Sequence, residues 1–534
     1  MELISQHTKG IMEKCKVRAR DAGLRFESDS LEYIVSNRDL IELSPKGMIP
    51  TLYDYWVNDV EVMKKKGVYK LYPTNPYETV INTRPAISFY NDNNPDWLNI
   101  MIFYHVLAHI DFFQNNIFFK HTWDGNFVDK ALAGKRLVEN YRREYGRWVD
   151  YVIEFSRGIN NLVGFYSSLS AKHFQKELNP SKPISFYFDV FLQEIKKVSE
   201  HIVYEEIENY NRTLSQHPEV GESIFFAGIK RKYPEFDAIY ARYDEEKRRR
   251  KDIMQYILDH SAFLNKEENR WMKSVIEIVR ETALYFEPQI RTKTINEGWS
   301  SYWHDQLFRK DERIVGHESA YAKINAYVTS VNRVGLNPYA IGLRLFWYIE
   351  KLANQGKLEY KFHKLQDILS RENYDQALGK GKEAVFKVRE NFSDFTLLNT
   401  FIDQDFVDRY KLFVVGKRLN EEKEVYEYYV KSKKASDYKQ MLMDNMYHPP
   451  VIEVNKDITD EDNLYLVHHF EGKQLYKDFI PETLIGIEYL WGGAVQLETT
   501  EIVKKRKANQ TKNGFELRKV LYTVKDRQVK RKTL

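Results

Sequence analysis

Two histidines, His105 and His109, stand four positions apart in a segment that is otherwise almost wholly apolar. On a helix this spacing puts both imidazoles on one face, one turn apart, where a single metal ion reaches both. Fourteen histidines in 534 residues give about 0.4 such pairs by chance, so the spacing alone decides nothing. The setting carries more weight. Residues 96–119 are apolar on every side, which is the pattern of a buried helix and not of an amphipathic one. Burying two imidazoles there costs free energy unless their nitrogens are satisfied. Metal coordination would satisfy them, and so would hydrogen bonds to neighbouring polar groups.

A second segment runs from Thr292 to His304 and contains Asn296-Glu-Gly-Trp299. Read as a helix, it places Lys293, Glu297 and His304 on one face. Glu297 resembles the third zinc ligand of gluzincin metallopeptidases. With His105 and His109 it would complete a His₂Glu site that leaves a fourth position for water. Zinc suits these ligands best, and iron or manganese fit the same ligand types. One departure matters. Gluzincins carry His-Glu-x-x-His, whose glutamate is the general base, and here that position is Val106, which takes no proton. Asp111, six residues after His105, faces away from the metal side. His304 shares a face with Glu297 and is the candidate acid, base or oxyanion donor, with a plain packing role as the other reading. The expected metal ligands are therefore His105, His109 and Glu297, and the expected catalytic residues are Glu297 and His304.

Composition narrows the setting. One cysteine, Cys15, excludes an intramolecular disulfide and fits a reducing compartment. The first residues contain no apolar signal core, and no run of about 18 apolar residues occurs. A cytoplasmic protein is expected. Walker, dinucleotide-binding and CxxC motifs are absent, which argues against nucleotide hydrolysis, Rossmann hydride transfer and zinc ribbons. From Val503 onward, twelve Lys and Arg face two acidic residues, a net +10 in a chain whose total is +4. A disordered solubilising tail fits this better than contact with nucleic acid or anionic lipid. The basic run Glu245–Lys251 fits a solvated helix face better than a nucleic-acid contact.

The elements that must position these residues are mostly helical. Only 15 Pro and 24 Gly are present, and long helical stretches fill 129–176, 187–216, 236–263 and 267–290. Residues 1–44 open with an exposed charged helix. Residues 45–385 form a mainly helical core holding the candidate metal site. Within it, Tyr77–Phe89 is a strand placed at a sheet edge by Pro85, and Asn91–Pro95 caps the helix that follows. Residues 386–500 form a small α+β domain, and 501–534 the basic tail. The fold class is mainly α, with a gluzincin-like helix pair and a short edge-strand region. Tyr285, Phe286, Trp299, Tyr302 and Trp303 fit core packing better than a pocket lining. His317-Glu318 reads as an exposed pair. His468-His469 lie in a strand and point to opposite faces.

Several blocks resemble one family. His105-Val-Leu-Ala-His-Ile-Asp-Phe-Phe-Gln-Asn-Asn116, Pro288–His304 and Asn337-Pro-Tyr-Ala-Ile-Gly342 are similar to the strongest blocks of SpoVR (stage V sporulation protein R) proteins. So are Tyr77-Glu-Thr-Val-Ile-Asn82, Leu464–Gly472 and Leu490-Trp-Gly492, in order from about 45 to 500. The resemblance implies a link to spore cortex formation or, outside spore formers, to stationary-phase stress. It also implies partners encoded nearby, a PrkA-type serine kinase and a von Willebrand-like protein. Two functions are open: a metal-dependent hydrolase of an amide bond, or a regulatory scaffold with a structural metal.

Overall fold

The computed structural model describes residues 2–27, 30–36, 39, 78–122, 127–163, 182–196, 198, 200–241, 252–331, 336–359, 362, 365, 367–420, 424–446, 449–470, 473–504 and 515–534. They are mainly helical, with a few small sheets. The run Glu245–Lys251 lies outside the described residues. No helix among the described residues is long and apolar enough to cross a membrane.

The chain divides into two units that alternate along the sequence, residues 1–128 with 288–448 and residues 129–287 with 449–534. This differs from the sequence boundaries at 385 and 500. The helices Asp394–Phe401 and Ala435–Asn445 bury Leu397, Leu398 and Leu442 in the same core as the histidine helix, so the texture change at 385 marks no break in packing.

In the first unit, β1 (Glu2–Leu3), β2 (Ser30–Val35), β3 (Glu78–Ile81) and β4 (Ala86–Asn91) form a sheet in the order β1-β2-β4-β3. The predicted strand at 77–89 is thus a hairpin, with the turn around Pro85, and β3 is its edge strand. Asn91 to Asn94 make a turn and not a side-chain cap: Asn91 Oδ1 accepts from Asn93 N, and no side chain caps the helix after Pro95. Helix α1 (Gln6–Asp21) is more buried than its charge suggested. Met12, Cys15, Lys16 and Ala19 enter the core. Lys16 is satisfied there by Glu32 at 3.1 Å.

Helix α2 (Asp96–Asn115) is buried from Leu98 to Phe113, as its all-round apolar surface requires. Its core is shared by α3 (Lys293–Phe308), α4 (Glu318–Val328), α5 (Pro338–Asn354) and α6 (Gly381–Asn391), of which α3 and α6 pack directly on it. Three devices fix α3. The buried Asp394 carboxylate accepts from the backbone N–H of Thr294 and Ile295, occupying the donors of the first turn. Trp299 Nε1 donates to Asp111, whose carboxylate also pairs with the fully buried Arg389 at 3.3 Å. Asp111 faces away from the histidines, as its register predicts. Third, α3 crosses α5 glycine on glycine. A β-carbon on Gly298 would lie 2.4 Å from Gly342 Cα, and one on Gly342 would lie 2.3 Å from the Thr294 carbonyl. Helix α5 starts where Asn337 caps it, its amide oxygen accepting from Tyr339 and Ala340, with Pro338 in the first turn. Trp299, Tyr302 and Trp303 are core residues.

In the second unit, β5 (Val451–Val454), β6 (Asn463–His469), β7 (Ala494–Lys504), β8 (Phe515–Lys525) and β9 (Gln528–Thr533) form a sheet ordered β9-β8-β7-β6-β5. The basic C-terminus is therefore strand where it is described, not a disordered tail. The alternation of β8 buries Val520, Tyr522 and Val524, while Arg531 on β9 pairs with Glu501 at 2.8 Å. His468 is buried against Thr499 and His469 faces Glu453 on the other side.

The glycine crossing yields a prediction. Gly298→Ala should cost about 3 kcal/mol or more, because two helix backbones must separate. Gly10→Ala, with nothing within 4 Å, should lose no stability. Chemical denaturation of both variants checks this.

Candidate metal centre

Helix α2 presents His105 and His109 one turn apart, and their Nε2 atoms stand 3.1 Å from each other. Glu297, from α3, brings Oε2 to 3.8 Å from His105 Nε2 and 3.6 Å from His109 Nε2. The three residues expected to converge do so, across the 188 positions between His109 and Glu297. A fourth side chain was not foreseen. Glu78, at the start of β3, has a carboxylate oxygen within 4.8 Å of ligand nitrogens of both histidines. Its one sequence signal was a lone carboxylate opening the β-branched run Thr79-Val80-Ile81.

Each histidine is held by its other nitrogen. The amide oxygen of Asn296, one residue before Glu297, lies 2.9 Å from His109 Nδ1 and accepts its proton. His105 Nδ1 faces His304 Nδ1 at 2.9 Å. His304 Nε2 in turn donates to Asn325 Oδ1, 3.1 Å away on α4. His304 therefore lies behind His105, reached through its Nδ1 and not from the Nε2 side where Glu297 stands. His317 is well apart from this cluster, stacked on Trp97 at the start of α4.

The electrostatics follow from burial. Glu297 and Glu78 are both pushed up to about 7 by desolvation. Glu297 is eased by Tyr339 and Lys293. For Glu78 the nearby His109 lowers the value and Glu297 raises it. His105 and His109 are pushed below the usual imidazole range, chiefly by desolvation. Tyr339 donates to Glu297 and stacks near His105, with ring centroids 6.2 Å apart. Its own ionisation is pushed far up by Glu297 and by burial. The Glu297 side chain is 17% exposed against 9% and 6% for the two histidines. Even so, Glu297 Oε2 is itself buried and has no hydrogen-bond partner.

The family model described as "SpoVR like protein" matches residues 3–448. The chain belongs to the SpoVR family. The match begins with β1, so α1 lies within the family region, and it ends where the first unit ends. The chain is also similar to "Uncharacterized protein YcgB" of Escherichia coli (strain K12), at 24% identity over 348 residues. That alignment covers 62% of this chain and 61% of the relative, so the chain spans about three fifths of that protein's length. No solved structure matches the chain. All four carboxylate and imidazole side chains of the cluster lie inside the SpoVR match.

The two kinds of buried carboxylate should respond oppositely to neutralisation. Glu297→Gln removes a buried charge that desolvation already disfavours and should leave the metal-free protein at least as stable as the wild type. Asp111→Ala strands Arg389 and should cost about 3–5 kcal/mol. Denaturation in the presence of chelator measures both.

Proposed function

We propose that this SpoVR family member is a metal-dependent hydrolase of an amide bond, with a divalent ion held by His105, His109 and Glu297 and with Glu78 beside it. The observation that carries this reading is the orphaned Glu297 Oε2, buried and aimed at two imidazole nitrogens 3.1 Å apart. Two nitrogens on one tetrahedral ion at about 2.05 Å would stand about 3.3 Å apart. The histidine spacing is close to that, and the Glu297 gaps are a few tenths of an ångström wider. Zinc is the first choice for the donor set, with iron or manganese as alternatives.

When bound, such an ion polarises a carbonyl and makes water acidic. The chain's own groups would do the rest. Glu78 supplies from a strand the second carboxylate that Val106 denies to the helix, suited to hold a proton near neutral pH. Tyr339 keeps Glu297 oriented. A peptide or cell-wall precursor, in the context of sporulation, the envelope or stationary-phase stress, is the substrate class that this chemistry and the family resemblance favour together.

One observation favours a second reading. Glu78, within 4.8 Å of both histidines, brings the carboxylates and imidazoles beside the site to four, the ligand count of a closed structural site. In that case the protein is a regulatory scaffold that works through partners such as a PrkA-type serine kinase. Complementation by Glu297→Gln separates the two. Loss of function supports the hydrolase, and full rescue by a variant that still binds metal supports the scaffold.

Protein purified without chelator or histidine tag should hold about one equivalent of divalent metal, lost in His105→Ala. Binding requires deprotonated carboxylates, and both lie near 7, whereas the histidines are already neutral there. Zn²⁺ affinity should therefore fall as pH drops from 8 to 6, by about tenfold per unit for each proton displaced. Affinity that stays flat across this range contradicts the carboxylate assignment.

A further inference from the structure

We propose that Asn325 and His304 form a hydrogen-bond relay that fixes the tautomer and aim of His105, which makes His304 a positioning residue. The inference rests on reading His105 as a metal ligand.

The chain of donors runs in one direction. Asn325 Oδ1 is a carbonyl oxygen and only accepts, so His304 Nε2, 3.1 Å away, carries the proton. The His304 ring is 2% exposed, and burial without a carboxylate on either nitrogen keeps it neutral. A neutral imidazole has one N–H, so His304 Nδ1 is a lone pair. His105 Nδ1, at 2.9 Å, must then be the donor. His105 Nε2 is consequently unprotonated. Asn296 fixes His109 in the same way through its Nδ1, at 2.9 Å. The two Nε2 lone pairs are turned toward each other at 3.1 Å with no hydrogen between them. That arrangement is repulsive by itself and is favourable only around a shared cation. The relay thus begins at Asn325 on α4 and ends as a ligand lone pair on α2.

The same bonds argue against proton transfer by His304. Both of its nitrogens are occupied, and the His105 ring stands between it and the point where the Nε2 atoms meet. An acceptor at that place is what the site needs, and an amide oxygen supplies one as well as an imidazole does. Asparagine at 304 should substitute, whereas it would fail as an acid or base.

The test compares wild type, His304→Asn and His304→Leu in the full chain by two readouts. Nitrogen-15 NMR of histidine-labelled, metal-free protein reports tautomers. Wild type should show His105 and His109 protonated at Nδ1 and His304 at Nε2, and His304→Leu should show His105 in mixed tautomers. Zn²⁺ affinity, by competition with a chromophoric chelator, should fall about 10–100-fold in His304→Leu and stay within about threefold of wild type in His304→Asn. His105 protonated at Nε2 in metal-free wild type overturns the relay, as do Asn and Leu variants that behave alike. If wild type binds no Zn²⁺, the metal reading fails. The relay is then decided by the tautomers alone, supported by the pattern above and overturned by any other.

Discussion

The arrangement depends on two helix backbones meeting at Gly298 and Gly342, where neither has room for a β-carbon. Because α3 and α5 touch there, the residue before one glycine, Glu297, comes within reach of Tyr339, three residues before the other. The crossing also presses α3 onto α2, so that Asn296 and Glu297 meet His109 and His105. A larger residue at either glycine would move the carboxylate and the amide together. Asp394 at the start of α3 and the Asp111–Trp299 bond along it prevent the helix from sliding or rotating to relieve that contact.

Against this rigid frame, the histidine–carboxylate cluster is the place where local physics is unfavourable. Elsewhere in the first unit several buried charges have an opposite charge or backbone donors beside them, Asp111 with Arg389, Lys16 with Glu32, Asp311 with Arg313 and Asp394 with two N–H groups, although burial still pushes Asp111 up to about 6 and Asp394 to about 7. At the centre, two carboxylates resist ionisation, two imidazoles resist protonation, and one carboxylate oxygen has no donor. Proteins tend to concentrate such conflicts at functional sites, where a ligand resolves them. A divalent cation would resolve all of these at once, and the proposed metal site rests on that.

Much of this was legible in the sequence because the relevant signals are local. Apolar residues on all sides of residues 96–119 reveal a buried helix, and a four-residue histidine spacing reveals a shared face. The register of 292–304 carried Glu297 toward that face. Glu78 was not legible, because a strand's carboxylate shows its destination only after the sheet edge is packed on α2. The exact placement of His304 was not legible for a similar reason. Helical register put it on the Glu297 face, but two turns along that face it reaches the back of His105 and not its Nε2. The alternation of the two units was hidden too, since residues far apart in sequence share each core. The strands after Val503 were masked by their charge. Their buried set, Val520, Tyr522 and Val524, alternates correctly for a strand, but the lysines and arginines between dominate the composition.

The central claim is that His105, His109 and Glu297 converge to hold one divalent cation. Anomalous diffraction at the zinc edge, from crystals of the full chain grown with Zn²⁺, tests it most directly. The account predicts a single strong peak bonded to the Nε2 atoms of His105 and His109 and to a Glu297 oxygen, with Glu78 adjacent. No peak at that point, or histidines bridged only by a proton or water with the metal elsewhere, would contradict it.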